Sequence, residues 1–225
     1  MAENRYNGLL KRWNTDIVLV TANDPLKVYV AHELRNVLWS NKYNRILEIG
    51  CGEGELTKHI LTYTKNTTID ALDPSRSMLN ACKKHLGTDR LSYLCGDITT
   101  FPLQPWYDAI VASQVIHNFV QEDKVLTFQS IFELLKPGWA LIITDKVYPD
   151  DRSLRDAMFE VQMRRYRDYL PAKAAQAIID HEKQDISDQY RMEETKTSDM
   201  LTSIGFANVE FVDRIERDVV VKAMK

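Results

Sequence analysis

The sequence predicts an α/β fold around a mostly parallel sheet, and three observations carry that expectation. From residue 45 onward, short apolar runs alternate with amphipathic stretches, the pattern of repeated strand–helix units. The first apolar run leads into Gly50-Cys51-Gly52-Glu53-Gly54, which holds three of the chain's 8 glycines. The chain closes on two β-rich runs around a tight turn, which reads as an antiparallel hairpin.

Taken in order, residues 1–44 read as a largely helical preface in which AHELRNVLWS is amphipathic. Strands are expected at RILEI (45–49), TIDAL (68–72), RLSYL (90–94), YDAIVA (107–112) and ALIIT (140–144). Between them Leu56, Ile60 and Leu61 recur at helical spacing, as do Met78, Leu79, Cys82 and Leu86, and then Val125, Phe128, Ile131, Phe132 and Leu135. The third of these helices is expected to end at LKPG, where Pro137 and Gly138 stop it and turn the chain into the next strand. Residues 150–195 show no strand pattern, only two helical pieces split at Pro171, the first lined by Phe159, Met163, Tyr166 and Leu170. The last segment reads as helix, Gly-Phe turn, strand, turn, strand. With no repeat, low-complexity tract or linker, residues 1–225 are expected to form one domain, with 1–44 as a cap and 147–194 as a helical insert over the substrate pocket.

Composition narrows the partners. A hydrophobic content of 44% is ample for a core, and a formal charge of −3 gives no global attraction to a phosphate backbone. The one basic cluster, Arg164, Arg165 and Arg167, has the spacing of a solvated helix face. Cys51, Cys82 and Cys95 form no metal-type spacing, and their odd number without a signal segment points to reduced thiols and a cytoplasmic setting. No stretch approaches 18 consecutive apolar residues, so no membrane span is expected.

The glycines follow a strand and precede a helix, the position where a backbone without side chains approaches a nucleotide-like group. Asp73 ends the second strand, where a carboxylate accepts both ribose hydroxyls of an adenosine, and Asp97 follows the third strand at the same edge. ILEIGCGEG, ALDPSRSMLNA, LCGDI, YDAIVASQVIHNF and LLKPGWALIITD, in this order and spacing, resemble the class I S-adenosylmethionine-dependent methyltransferases. The resemblance covers roughly residues 40–146 by motif and 195–225 by topology. It implies a Rossmann-like, doubly wound, seven-stranded sheet whose last strand is antiparallel.

Carried over by position, the resemblance implies that Glu48, Gly50, Cys51, Gly52 and Gly54 hold the methionine moiety of S-adenosyl-L-methionine, which leaves as S-adenosyl-L-homocysteine. Asp73 would hold the ribose, with Pro74 and Met78 near the adenine, and Asp97 and Ile98 flanking its amino group and ring. Ser113 would lie beneath the sulfonium. The helical spacing of Met78 suits core packing equally well, and nothing in the sequence places a base beside Cys51. Trp139 departs from the family, which often has a second glycine there, at a turn remote from the cradle.

For the reaction, His117 is the one histidine near the fourth strand's end, and it is the candidate general base, although a histidine so placed also suits packing or hydrogen-bonded scaffolding. Asp145 and Tyr148 follow the fifth strand as candidate acceptor-lining residues. Phe159, Met163 and Tyr166 could form an apolar acceptor wall or ordinary core, and Tyr6 and Trp13 of the preface are lid candidates. No metal is expected, since Ser113 stands where a magnesium-dependent catechol-type site has an acid. The absence of an NPPY-type segment after the fourth strand disfavours the adenine- and glutamine-amide-methylating families. The reading is a methyltransferase acting on O, N or C of a small-molecule metabolite, as a monomer or homodimer without nucleic acid or membrane. Its rivals are a tRNA methyltransferase, a carboxy-S-adenosylmethionine synthase-like enzyme for tRNA modification, and a non-catalytic binder of the cofactor. A nicotinamide dehydrogenase is disfavoured because Gly-x-Gly-x-Gly replaces Gly-x-Gly-x-x-Gly, with Glu55 in the last glycine's place.

Overall fold

The computed structural model describes residues 23–38 and 43–225. Tyr6 and Trp13 lie outside them. Helix α1 (Asn23–Val37) precedes β1 (Asn44–Ile49), α2 (Glu55–Tyr63), β2 (Thr67–Asp73), α3 (Arg76–Leu86), β3 (Leu91–Cys95) and β4 (Tyr107–Ser113). A short 3-10 turn (Ile116–Asn118) leads to α4 (Gln121–Leu134) and β5 (Leu135–Tyr148). The insert is α5 (Arg152–Tyr169) and α6 (Ala172–Asp185), and the chain ends with β6 (Met192–Glu193), α7 (Glu194–Ile204), β7 (Ala207–Ile215) and β8 (Asp218–Met224).

The main sheet has the order β3-β2-β1-β4-β5-β8-β7 along its path, with the seven strands that the resemblance implied. Strands β1 to β5 are mutually parallel, and β8 runs antiparallel to both β5 and β7. The order reverses between β1 and β4, so a crevice opens at their carboxyl ends, where open α/β sheets bind ligands. Alternate residues feed two cores, because the sheet is covered on both faces. Ile46, Ile69, Val111, Ile142 and Val220 meet α1 and α2 through Leu26, Val30, Leu34, Leu56 and Ile60. Leu47, Leu72, Ile110, Ile143 and Val221 meet α4 and α7 through Phe128, Ile131 and Leu201.

Two boundaries differ from the expectation. LKPG is not the end of α4 but the irregular start of β5: the register slips between Tyr107↔Leu135 and Ala109↔Ala140, with Gly138 at φ 81 in the bulge. Residues 150–195 do hold a strand, for Met192 and Glu193 pair with Val147 and Tyr148. Two residues are too few for any period to show. The insert otherwise follows its pattern. Asp151 caps α5 by accepting from Leu154 N at 2.8 Å, and Pro171, which cannot donate in a helix interior, precedes α6. Among the described residues no helix is long and apolar enough to cross a membrane.

Candidate functional site

The glycine loop is anchored to β2, with Leu72 O accepting from Gly50 N at 2.7 Å and Cys51 N at 3.2 Å. Its three glycines are needed for different reasons, which corrects the reading of one shared cause. A Cβ on Gly50 would stand 2.4 Å from Val115 Cγ2, and one on Gly54 would stand 2.6 Å from Cys82 Sγ, so both positions are closed by the protein itself. Gly52, at φ +54, meets nothing within 4 Å. Its bare face is the open one, the surface a close-fitting ligand requires.

Asp73 closes the loop from the next strand, Oδ2 accepting from Gly52 N at 2.9 Å and Oδ1 from Ser75 N at 2.8 Å. A carboxylate has about four lone-pair sites, so two remain for a ribose diol. Burial pushes this acid up, and the Ser75 and Gly52 amides pull against that. Pro74 and Met78 are half-buried beside it. Ser75 caps α3, its Oγ accepting from Met78 N at 3.4 Å. Asp97 accepts from Thr99 N at 2.8 Å and Thr99 Oγ1 at 2.6 Å, both on Oδ1, while Ile98 is buried in the core behind it. Glu48 lies behind the loop, bound by Thr57 Oγ1 at 2.6 Å, and burial raises its carboxyl to about 8, so it is neutral at pH 7. Ser113 Oγ is buried without a partner among the described residues. Gly52's open face, the spare lone pairs of Asp73 and this orphaned hydroxyl fit S-adenosylmethionine along the crevice. Cys51 is a buried neighbour of Ala71 and Leu79, its thiol donates to Gly52 O at 3.8 Å, and its interaction with Cys82 raises Cys51 and lowers Cys82.

The other side of the crevice is a buried ionic network that the sequence does not reveal. Asp145, fully buried on β5, accepts from Ile116 N at 2.6 Å, Val115 N at 3.2 Å, Lys146 N at 2.8 Å and the His117 Nδ1 at 2.5 Å. Burial pushes its carboxyl up, but the neighbouring His117 and these donors outweigh burial and hold it low. His117 Nε2 faces Asp185 Oδ2 of α6 at 3.8 Å. Asp185 is itself held by Lys146 Nζ at 2.8 Å and stands 3.4 Å from His181 Nε2. Glu182, one turn earlier, receives the Arg217 guanidinium at 2.6 and 2.7 Å, Lys146 at 3.1 Å and the Tyr166 hydroxyl at 3.0 Å. Arg217 also reaches Tyr148 Oη at 3.2 Å.

This geometry redistributes the acceptor-side candidates. Tyr148 and Tyr166 are tied into the network, each 1% exposed, and Met163 is equally buried between α5 and α6 with Ala175 and Ile179. They form the insert's core and its seam with the sheet, not an open wall, because the apolar stripe of α5 finds its partner in α6. Phe159 packs at the margin of that core and stays half-buried. Asp145 likewise faces inward, onto backbone amides and His117. Lys146, Glu182, Asp185 and Arg217 are the residues sequence reasoning missed. Each is a buried charge in a segment that mixes buried and exposed charges, and no spacing singles it out.

Residues 46–138 match the family described as Methyltransferase domain. The chain is 32% identical over 139 residues to the malonyl-[acyl-carrier protein] O-methyltransferase of Priestia megaterium, covering 60% of this chain and 50% of that one. It is 30% identical over 133 residues to an uncharacterised methyltransferase of a Geobacillus species, covering 59% and 61% respectively. The chain thus spans only half to three fifths of the length of these curated relatives. A putative S-adenosyl-L-methionine-dependent methyltransferase from Methanococcus maripaludis shares the fold at a TM-score of 0.64 and 22% identity, covering 95% of this chain and 91% of that one. Human N-acetylserotonin methyltransferase, solved with its cofactor, does so at 0.63 and 16%, covering 93% and 55%. Residues 46–138 thus match a methyltransferase domain, and with the strand order, the glycine loop and Asp73 in place these matches support a class I S-adenosylmethionine-dependent methyltransferase.

Proposed function

We propose that the protein transfers a methyl group from S-adenosylmethionine to an O, N or C atom of a small-molecule acceptor. The observation that carries this reading is the joined cradle: Gly52 with an open face and its amide on Asp73, at the carboxyl ends of adjacent strands. The cofactor supplies an activated methyl on a positive sulfur. The chain's task is to hold that group, align an acceptor lone pair behind the methyl and exclude water.

His117 is assigned to proton removal when the acceptor is a hydroxyl. With Nδ1–H donating to Asp145, the lone pair lies on Nε2, the tautomer a general base uses. A carboxylate acceptor, of the kind the malonyl-carrier relative's name implies, arrives already ionised at neutral pH and needs no such base. The insert, fixed to β5 and to the β7–β8 turn by Glu182 and Asp185, is the specificity element in this reading, with Phe159 at its margin. A tRNA acceptor loses support. Arg165 is taken by Glu216 at 2.6 Å, which leaves Arg164 and Arg167 interleaved with the equally exposed Glu160 and Asp168.

Calorimetry with S-adenosylmethionine and S-adenosylhomocysteine, followed by an assay of S-adenosylhomocysteine release over carboxylic acids, malonyl thioesters, phenols and amines, tests the reading. Saturable binding with turnover on one acceptor class is expected. Asp73→Ala should weaken binding more than about tenfold through lost charge-assisted bonds. Absence of binding overturns the reading, binding without turnover on any class returns it to a non-catalytic binder, and strong salt-sensitive tRNA binding returns it to RNA.

A further inference from the structure

The exit of β4 carries a backbone feature that the cofactor cradle alone does not explain. Gln114 sits at φ 58, in the left-handed region that a residue with a Cβ rarely adopts, and such strain persists only where the surroundings over-determine it. Gln114 N donates to Thr144 O at 2.8 Å, and its side-chain amide donates to Asp218 at 2.9 Å. The next two amides, Val115 and Ile116, both donate to one oxygen of Asp145. Turned this way, the Val115 side chain occupies the space where a Cβ on Gly50 would fall, 2.4 Å from Cγ2. The other Asp145 oxygen takes His117 Nδ1 and Lys146 N.

We propose that Asp145 is the positioning residue of the methyl-transfer rim, one buried carboxylate that sets both the valine prop beneath the first glycine of the cofactor loop and the tautomer of His117. The inference rests on the proposed cofactor cradle, and it goes beyond that reading by linking the two sides of the crevice through a residue that touches neither cofactor nor acceptor. The chemistry requires an acid at this position. Both oxygens accept from N–H groups, whereas an asparagine accepts on one and would turn two N–H donors of its own toward amides that also donate. Burying an anion with no exposed surface is unfavourable unless it is this fully bonded. Neighbouring charges are Lys146, Asp185, His181 and Asp218, from β5, α6 and β8.

The test combines S-adenosylhomocysteine calorimetry with side-chain nitrogen NMR of the histidines, His117 being assigned by its loss in His117→Gln. In the wild type, His117 should be protonated at Nδ1, whether cofactor product is present or not. Asp145→Asn, left with one accepting oxygen for donors on two sides, should lose that signature and bind S-adenosylhomocysteine about tenfold more weakly, since it forfeits two of the four bonds and turns its own N–H groups toward donors. Val115→Ala, which keeps Asp145 but removes the prop, should weaken binding by a few fold and leave the His117 signature intact. A merely structural Asp145 would lower the melting temperature without moving either readout. Wild-type affinity in a folded Asp145→Asn, or His117 protonated only at Nε2 in the wild type, overturns the proposal. If Asp145→Asn does not fold, an unchanged affinity in Val115→Ala overturns it. Failure of the wild type to bind S-adenosylhomocysteine sinks the functional reading instead, and leaves the histidine signature to decide this one.

Discussion

The same strands carry an ionic network at each end, and the two differ in burial more than in chemistry. At the amino ends Arg45 pairs with Asp70 at 2.6 Å, Tyr107 donates to Asp70 at 2.8 Å and Lys136 pairs with Asp108 at 2.6 Å. The cations there are about one-third open to water, at 39% for Arg45 and 34% for Lys136. At the carboxyl ends the corresponding cations are almost closed, at 9% for Lys146 and 4% for Arg217. Water screens the first set, so its pairs contribute little net stability. The second set has only its own members for compensation, so it holds the insert in one place and penalises the loss of any single partner.

The largest effect that would sharpen this contrast is Glu182→Gln. Removing one carboxylate strands Arg217 and Lys146 in a closed environment and should cost about 3–5 kcal/mol in urea unfolding. A loss below about 1 kcal/mol would mean that water reaches the seam and that the two ends are energetically alike.

The next concerns pH, where two groups at the carboxyl end act in opposite directions. Against burial, Arg217 and Lys146 hold Glu182 well below the usual carboxylate range, so its contribution is present above about pH 4.5 and lost as pH falls further. Glu48 is raised to about 8 by burial, so the stability it contributes is complete below its unfolded value and lost as pH rises through 8. Unfolding measured from pH 5 to 8 should therefore show a declining component of up to about 1.4 kcal/mol per pH unit that Glu48→Gln removes. The same decline in the variant would place its source elsewhere.

Smaller effects separate the glycines. Gly52→Ala should keep the fold, at a cost of about 1–2 kcal/mol for a left-handed alanine, yet weaken S-adenosylhomocysteine binding, because its methyl enters the open face. Gly50→Ala drives a methyl into Val115 and should lose more stability than Gly52→Ala, as read by melting temperature. Equal melting temperatures with equal affinities would remove the distinction between packing and ligand glycines. The smallest effect belongs to the amino end, where Asp70→Asn should change stability by about 1 kcal/mol or less, diminishing with salt, and leave cofactor affinity alone.

Most of the sheet was legible because its strands are buried on both faces and so read as unbroken aliphatic runs, RILEI and YDAIVA above all. The cradle was legible because glycine and a strand-ending carboxylate are scarce and positional signals. What remained hidden was long-range or too short. Arg217 meets Glu182 across 35 residues, and neither sits in a pattern that distinguishes a buried charge from a solvated one. β6 has two residues, and the slip at Gly138 exists only relative to the neighbouring strand. His117 was proposed from its place in the chain, whereas its contacts with Asp145 and Asp185 are visible only in the structure.

One consequence attaches to the thiols behind the glycine loop. Cys82 Sγ packs against Gly54, Cys51 belongs to the loop itself, and both are buried. Alkylation by a small haloacetamide therefore requires the loop to lift from α3, and the labelling rate becomes a clock for that excursion. A protein prepared without its product bound should label faster than one saturated with it, giving a mass-spectrometric gauge of site occupancy that needs no knowledge of the acceptor.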